Sequence, residues 1–390
     1  MQKTPTVYDV AAHAGVSIAT VSRVFRRPDD VRASTRETVL ASVRALGYVP
    51  SASARGLAAR RTGVLGLFFP DFDDVDHTGD ADPSIGTDPS IGTAPSSGPG
   101  PGSQEPADTP TATVEIVSDL HPADTPRRTD LYFDAVLRGS EVQAWRDGFT
   151  LMIGVGRGSN PVEMVTDIAG RVDGLALLAH SVPDAILEHV SRRVPIVLIA
   201  GDRQGDDYDH VTVANAEGMH ALVAHLVDDL GVRDFAFVSG PEGSPDDQER
   251  YDGFRLALEQ CGLDARAVPV VRGDFTRSGG RAVGERLLAA PAPLPRALVC
   301  SNDQTALGVM SALAAAGVSV PGDVIVTGFD GIEEGRLSSP PLTTVEQPML
   351  ELGRAAMSVM RRRLDDPEQA PISVRLPVKV LLRGSSEPVS

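Results

Sequence analysis

Only two cysteines occur in the 390 residues, Cys261 and Cys300, and they do not have CxxC spacing. That excludes a disulfide framework and reads as two buried free thiols in a reducing compartment. No run of 18 uninterrupted apolar residues is present, and the opening "MQKTPTVYD" has no apolar stretch of signal-peptide type. The expectation is therefore a cytoplasmic protein with no membrane span. Catalytic signatures are missing too. There is no GxxxxGK[ST] and no GxSxG, and "GVGRGS" at 154–159 runs GxGxG rather than GxGxxG. His220 and His225 stand five apart, so they do not share a helix face as an HExxH pair would. These absences argue against an enzyme and leave no metal or cofactor to expect.

What is present is an ordinary globular composition, 42% hydrophobic and 23% charged, with core enough for two or three domains. The charge is distributed unevenly. The whole chain carries −17, yet residues 1–62 hold ten Lys and Arg against four acids, a surplus of +6, which leaves −23 on the remainder. A small basic head on a large acidic body can hold a polyanion locally, while the body repels it elsewhere.

The head has helix signals at short intervals. Thr6 followed by Asp9 is a capping-box pattern for a helix over about 7–14, and Gly15 suits a sharp stop. Ser17 is placed to cap a second helix ending near Arg26. Ser34 with Glu37 repeats the capping box for a third helix, whose apolar stripe Val39, Val43 and Leu46 ends at Gly47. Ala11, Gly15 and Val21 fit a helix-turn-helix: a small residue for the crossing, glycine for the turn and an apolar residue to close the packing. Then "YVPSASARGLAARRTG" offers Pro50 as a stop, Ser51 as a cap, and one bulky Leu57 among small residues and arginines, the pattern of a minor-groove wedge.

Further along, short apolar runs ("VLGLFF", "TLMIGV", "DGLALLA", "PIVLIAG", "FAFVSG", "RALVCS", "VIVTGFD") alternate with helix-like segments such as "NAEGMHALVAHLVDDL" and "DQTALGVMSALAAAG". Buried strands separated by helices imply parallel sheets covered on both faces. About a dozen such elements exceed one compact sheet, so two lobes with a cleft between them are expected. Residues 71–130 break the rhythm: nine prolines, six glycines, thirteen acids against Arg127 and Arg128, and a tandem "DPSIGT". That composition reads as a disordered insertion, in which only "TVEIV" at 113–117 alternates as a strand would.

The stretch "YDVAAHAGVSIATVSRVF…TRETVLASVRALGYVPSASARGLAARRTGVLG" resembles the start of the LacI/GalR family of transcription regulators. The resemblance continues through "HLVDDLGVRDFAFVSGP", "ERYDGFRLAL", "SNDQTALGVMSAL" and "VTGFDGIEEGRLSSPPLTTVEQP". It implies an all-α helix-turn-helix head at 1–50 and a hinge at 51–62. After these it places a two-lobed α/β body at 63–384, similar to a periplasmic binding protein with doubly wound parallel sheets, and a tail at 385–390. It further implies a homodimer on a pseudo-palindromic double-stranded DNA operator, with a small-molecule effector, expected to be a saccharide, that changes operator affinity.

Carried onto this chain, DNA contacts fall on Thr6, Ser17, Ile18, Ala19, Thr20, Ser22 and Arg23, and on Ser51, Ala54 and Leu57 in the hinge. Ile18, Ala19 and Arg23 take the base-reading positions and Leu57 the wedge. Effector positions fall on Tyr132, Phe133, Arg250, Phe275, Asn302 and Asp330. Such a mixture of amide, carboxylate, guanidinium and ring suits a polyhydroxylated ligand, with hydroxyls hydrogen-bonded and C–H faces covered. Ser51 replaces the asparagine usual at the hinge start, and Ala214 stands where the family commonly has aspartate. An export-borne solute receptor would explain the body alone and has no use for residues 1–62.

Overall fold

The computed structural model describes residues 5–48, 61–70, 131–156, 161–201 and 205–387. The expectations placed on Ser51, Ala54 and Leu57, the disordered insertion and the "TVEIV" strand lie outside these residues, as does much of "GVGRGS".

Among the described residues the head holds three α-helices, α1 (Val7–Ala14), α2 (Ile18–Arg26) and α3 (Ala33–Leu46), with a short 3-10 turn at Pro28–Asp30 between the last two. The Thr6 hydroxyl accepts from the Asp9 amide, and the Asp9 carboxylate accepts from the Thr6 amide at 2.7 Å, completing the capping box. Gly15, at φ 66°, closes α1 in the left-handed conformation that favours glycine. Ser17 caps α2 by accepting from the Thr20 amide at 3.1 Å. The expected Ser34–Glu37 capping box is not formed. The helix begins at Ala33 after Arg32, so Ser34 sits inside the first turn instead of in the extended cap conformation, and no side chain caps α3. Val10, Ala11, Val21, Val24 and Val39 form the buried core of the three helices, and His13 reaches Ser42 at 3.0 Å to tie α1 to α3.

Among the described residues the body holds two six-stranded sheets. Sheet one is β1 (Val64–Pro70), β2 (Thr150–Gly156), β3 (Gly174–Leu178), β4 (Ile196–Ile199), β5 (Asp209–Val213) and β11 (Ser373–Leu376), in spatial order β11-β5-β4-β3-β1-β2. Sheet two is β6 (Phe235–Ser239), β7 (Val270–Arg272), β8 (Ala297–Cys300), β9 (Ile325–Asp330), β10 (Thr343–Glu346) and β12 (Lys379–Leu381), in order β12-β10-β9-β8-β6-β7. Neighbouring strands are parallel throughout, except that β12 runs antiparallel to β10. The central strands β4, β6, β8 and β9 are buried along their whole length, as continuous apolar runs in covered parallel sheets should be.

Helices α4 (Leu131–Arg146), α5 (Pro161–Ala169), α6 (Asp184–Ser191) and α12 (Met349–Asp365) serve the first lobe. Helices α7 (Asn215–Asp228), α8 (Pro245–Gln260), α9 (Arg277–Ala289), α10 (Asp303–Ala315) and α11 (Glu333–Leu337) serve the second. The chain crosses between lobes three times: at Ala214 after β5, at Gln347–Pro348 after β10, and between β11 and β12. Helices α4 and α12 touch backbone to backbone. A Cβ on Gly353 would lie 2.0 Å from the Val136 carbonyl, and one on Gly139 would lie 1.9 Å from that of Leu350.

Two further expectations shift. Cys300 is buried, and burial raises its pKa, whereas Cys261 is only half-buried at the end of α8. Ser385 and Ser386, expected to begin a tail, are buried: the Ser385 hydroxyl donates to the Val326 carbonyl at 2.6 Å and accepts from the Thr343 amide at 2.8 Å.

Candidate functional site

The head presents α2 by its N-terminal half. Val21 and Val24 point into the helical core, which turns the other face outward. Ile18 is 41% exposed, Ala19 and Arg23 are exposed, and Thr20 and Ser22 are half-buried beside them. Ser17 and Thr20 are linked through their hydroxyls at 2.9 Å, which fixes the first turn of the helix. An exposed helix face with Arg23, short hydroxylated side chains and the apolar Ile18 and Ala19 fits the major groove, where guanine offers acceptors and thymine a methyl group. Thr6 caps α1 as described.

The second group of residues lies at the C-terminal ends of the sheet-two strands, where parallel α/β folds bind ligands. Arg250, in α8, is only 3% exposed. Its Nε donates to Asn215 Oδ1 at 2.9 Å and its Nη1 to the Ser301 carbonyl at 2.8 Å, while the guanidinium carbon sits 3.9 Å above the Phe329 ring centroid. Asp246 and Asp330 flank it at 3.8 and 3.7 Å. Asp330 ends β9 at φ 129°, a backbone region that L-residues seldom adopt, and its Oδ1 accepts from Gln347 Nε2 at 2.6 Å.

Asn302 caps α10 by accepting from the Thr305 amide at 3.0 Å and donates to the Phe275 carbonyl at 2.9 Å. Phe275, at φ 69°, lays its ring against Gly240, where a Cβ would come within 2.2 Å of the ring. Behind them Asp303 is fully buried, and its carboxylate accepts from Thr344 Oγ1 at 2.6 Å and from the Gly331 and Ile332 amides at 2.8 and 2.9 Å. Burial nevertheless pushes its pKa up to about 6.

The structure thus brings Arg250, Phe275, Asn302 and Asp330 onto one lobe. Tyr132 and Phe133 stand on the other, in the first turn of α4, where the Phe133 ring lies 4.7 Å from that of Phe69 and 5.1 Å from that of Tyr132. Sequence reasoning missed Asn215, Asp246 and Gln347. Asn215 is fully buried and donates to Asp246 Oδ1 at 2.9 Å and Glu249 Oε2 at 3.1 Å, so it joins the first crossing to Arg250. Asp246 also accepts from the Gly201 amide of the first lobe at 3.4 Å. No local signal marked them: the strands that precede Asn215 and Gln347, "DHVTV" and "TTVE", are themselves largely polar. Among the described residues no His, Cys, Asp and Glu side chains group as metal ligands, and no helix is long and apolar enough to cross a membrane.

Comparison with known proteins bears on both groups. Residues 6–51 match the family model "Bacterial regulatory proteins, lacI family", and residues 223–386 match the "Periplasmic binding protein-like domain". Catabolite control protein A of Priestia megaterium is 27% identical over 385 residues, covering 98% of this chain and 99% of that protein. Among solved structures, the transcriptional regulator CelR in complex with cellobiose is 26% identical with a TM-score of 0.63, covering 98% of this chain and 99% of that one. The lac repressor dimer bound to operator is 24% identical with a TM-score of 0.74 over 98% and 99%, a likeness of fold. Both family models and the end-to-end relatives agree with the helical head and the paired parallel sheets, and the chain belongs to the lacI family of bacterial regulatory proteins.

Proposed function

We propose that this chain is a sequence-specific DNA-binding repressor without catalytic activity, acting as a homodimer on a pseudo-palindromic operator. Residues 1–50 would read DNA, 51–62 would form the hinge, and the two lobes would hold a small effector, a saccharide, that alters operator affinity. The observation that carries this reading is the outward face of α2, with Ile18, Ala19 and Arg23 exposed above a closed valine core, in a chain of the lacI family. The effector reading rests on the amide, carboxylate and guanidinium groups gathered at the ends of sheet two, and on the likeness to CelR, whose structure is that of a cellobiose complex. The dimer draws its support from the lac repressor dimer of the same fold.

The test is selection of bound duplexes from a random pool, followed by measurement of affinity. Arg23→Ala should lose about 1–3 kcal/mol of discrimination at one base pair of each half-site, the worth of a bidentate arginine–guanine contact. Leu57→Ala should reduce specific affinity while leaving the weak salt-dependent component in place. An Arg23→Ala protein with unchanged sequence preference refutes the base-reading assignment. A thermal-shift screen with neutral mono- and disaccharides tests the effector class.

A further inference from the structure

Helix α12 starts and ends at two places that matter to each other. At its start, Gln347 occupies the second crossing between lobes and is 2% exposed. Its Nε2 donates to Asp330 Oδ1 at 2.6 Å, its backbone amide donates to the Asp330 carbonyl at 3.1 Å, and its own carbonyl accepts from the Met349 amide at 2.9 Å. Among the described residues the side-chain Oε1 of Gln347 is buried with no hydrogen-bond partner, an acceptor that a donor from outside would satisfy. At the other end, Arg61 Nη2 donates to the Leu364 carbonyl, and Nη1 lies 3.5 Å from Asp365 Oδ1. A cation there also meets the negative end of the helix dipole. Arg61 is the last residue before Thr62 and Gly63, whose amides both donate to the Asp173 carboxylate at the entrance of β3. The DNA-reading head is joined to the body through this point of the chain.

Between the two ends, α12 is a single unbroken helix. Seventeen residues span roughly 25 Å at the helical rise. One stripe, Leu352, Ala356, Met357, Val359, Met360 and Leu364, is buried, and the backbone contact with α4 at Gly139 and Gly353 leaves no slack.

We infer that α12 is the mechanical link between the effector end of the molecule and the DNA linker: Gln347 senses the Asp330 corner, and Arg61 is the positioning residue that passes its displacement to the linker. The inference rests on the regulator reading for its purpose but not for its test. A ligand that bonds Asp330 or supplies a donor to Gln347 Oε1 changes the grip of the second lobe on the start of α12, and the far end carries Arg61 with it. Coupling of this kind is reciprocal, so loosening either end must be felt at the other.

The first measurement is amide hydrogen exchange on the full-length, ligand-free protein. Gln347→Met keeps the apolar bulk and removes the amide. It should speed exchange at Thr62 and Gly63 several-fold while leaving Leu65, Leu67 and Phe68 of β1 unchanged. Arg61→Ala, a substitution at a partly exposed position that leaves the fold intact, should speed exchange in the first turn of α12. Unchanged exchange at the far end in either variant overturns the inference, as does uniform loss of protection across sheet one. The second measurement is a double-mutant cycle on the selected duplex. Gln347→Met should alter affinity at least about threefold in the wild-type background and lose that effect in Arg61→Lys, which keeps the charge but not the two-point grip. Additive effects refute the link. If no duplex is selected, the DNA reading falls while exchange still decides the coupling.

Discussion

The two lobes share one plan and spend it differently. Taken in order of appearance within each lobe, the strands of both sheets lie last, fifth, fourth, third, first, second. Yet the ends of sheet two carry a cross-linked polar network, from Asn215 and Asp246 through Arg250 to Asp330 and Gln347. The described end of β1 in sheet one carries the aromatic group Phe69, Phe133 and Tyr132. A doubly wound plan is set by apolar runs and right-handed crossovers, which tolerate any residue beyond the strand end. Chemistry is therefore free to differ between lobes of identical topology. For the proposed polyhydroxylated ligand the division is useful, since the hydrogen-bond partners gather on one side while the paired rings of Phe133 and Tyr132 on the other add to that of Phe275.

The largest expected break in this comparison comes from Arg250. Arg250→Met keeps volume over Phe329 but leaves Asp246 and Asp330 without their shared cation and Asn215 Oδ1 without its donor. Loss of one member of a buried ion pair costs about 3–5 kcal/mol. Urea denaturation should show that loss, and amide exchange should place it in β9 and α8, with β3 and β4 of the first lobe little affected. A loss below about 1 kcal/mol, the range of exposed ion pairs, would mean that the network does not hold the second lobe together.

The lobes also differ in how far the sequence disclosed them. The apolar runs announced both sheets, because a covered parallel strand must be apolar along its length: "PIVLIAG" and "VIVTGFD" could hardly be anything else. Thr6, Gly15, Ser17 and Gly47 announced their helix ends through local hydrogen bonds and φ preference. Ser34 misled, since a capping pattern marks a helix start only where the backbone is extended, and the chain had already turned helical at Ala33. The Arg250, Asn302 and Asp330 positions came from family resemblance; that all three lie on one lobe follows from the order of the crossings. Asn215, Asp246 and Gln347 were not legible. Their partners lie 35, 45 and 17 residues away, and no local pattern encodes such pairings.

A smaller effect, confined to the second lobe, depends on pH. Burial raises the Asp303 pKa from an ordinary 3.8 to about 6. Between those values the native state keeps a proton that the unfolded chain has released, so this contribution stabilises the fold below about pH 4 and is lost as pH rises through 6. Asp303→Asn keeps an acceptor for the Gly331 and Ile332 amides and can donate to Thr344, yet cannot ionise. The expected outcome is a wild-type stability that falls from pH 4 to 7 relative to the variant, by a few kcal/mol at about 1.4 kcal/mol per pKa unit. Parallel curves for the two proteins would show that Asp303 does not titrate in this window.

The smallest effect belongs to the first lobe and should have no pH dependence. Phe133 contributes ring contacts with Phe69 and Tyr132 and packs against the core of the lobe. Phe133→Leu retains most of the apolar burial and loses the aromatic geometry, which is worth about 0.5–1.5 kcal/mol beyond area. No ionisable group is removed, so the deficit should be equal at pH 4 and pH 7, in contrast to that of Asp303→Asn. The same variant separates packing from ligand contact. If the ring also covers a sugar face, saccharide affinity falls by more than the stability loss explains, and Phe133→Tyr restores it. Denaturation at the two pH values, paired with calorimetric titration of a saccharide found by screening, gives both numbers. A stability deficit that varies with pH would mean that the aromatic lobe is electrostatically tied to the polar one, and the division of labour between the lobes would have to be abandoned.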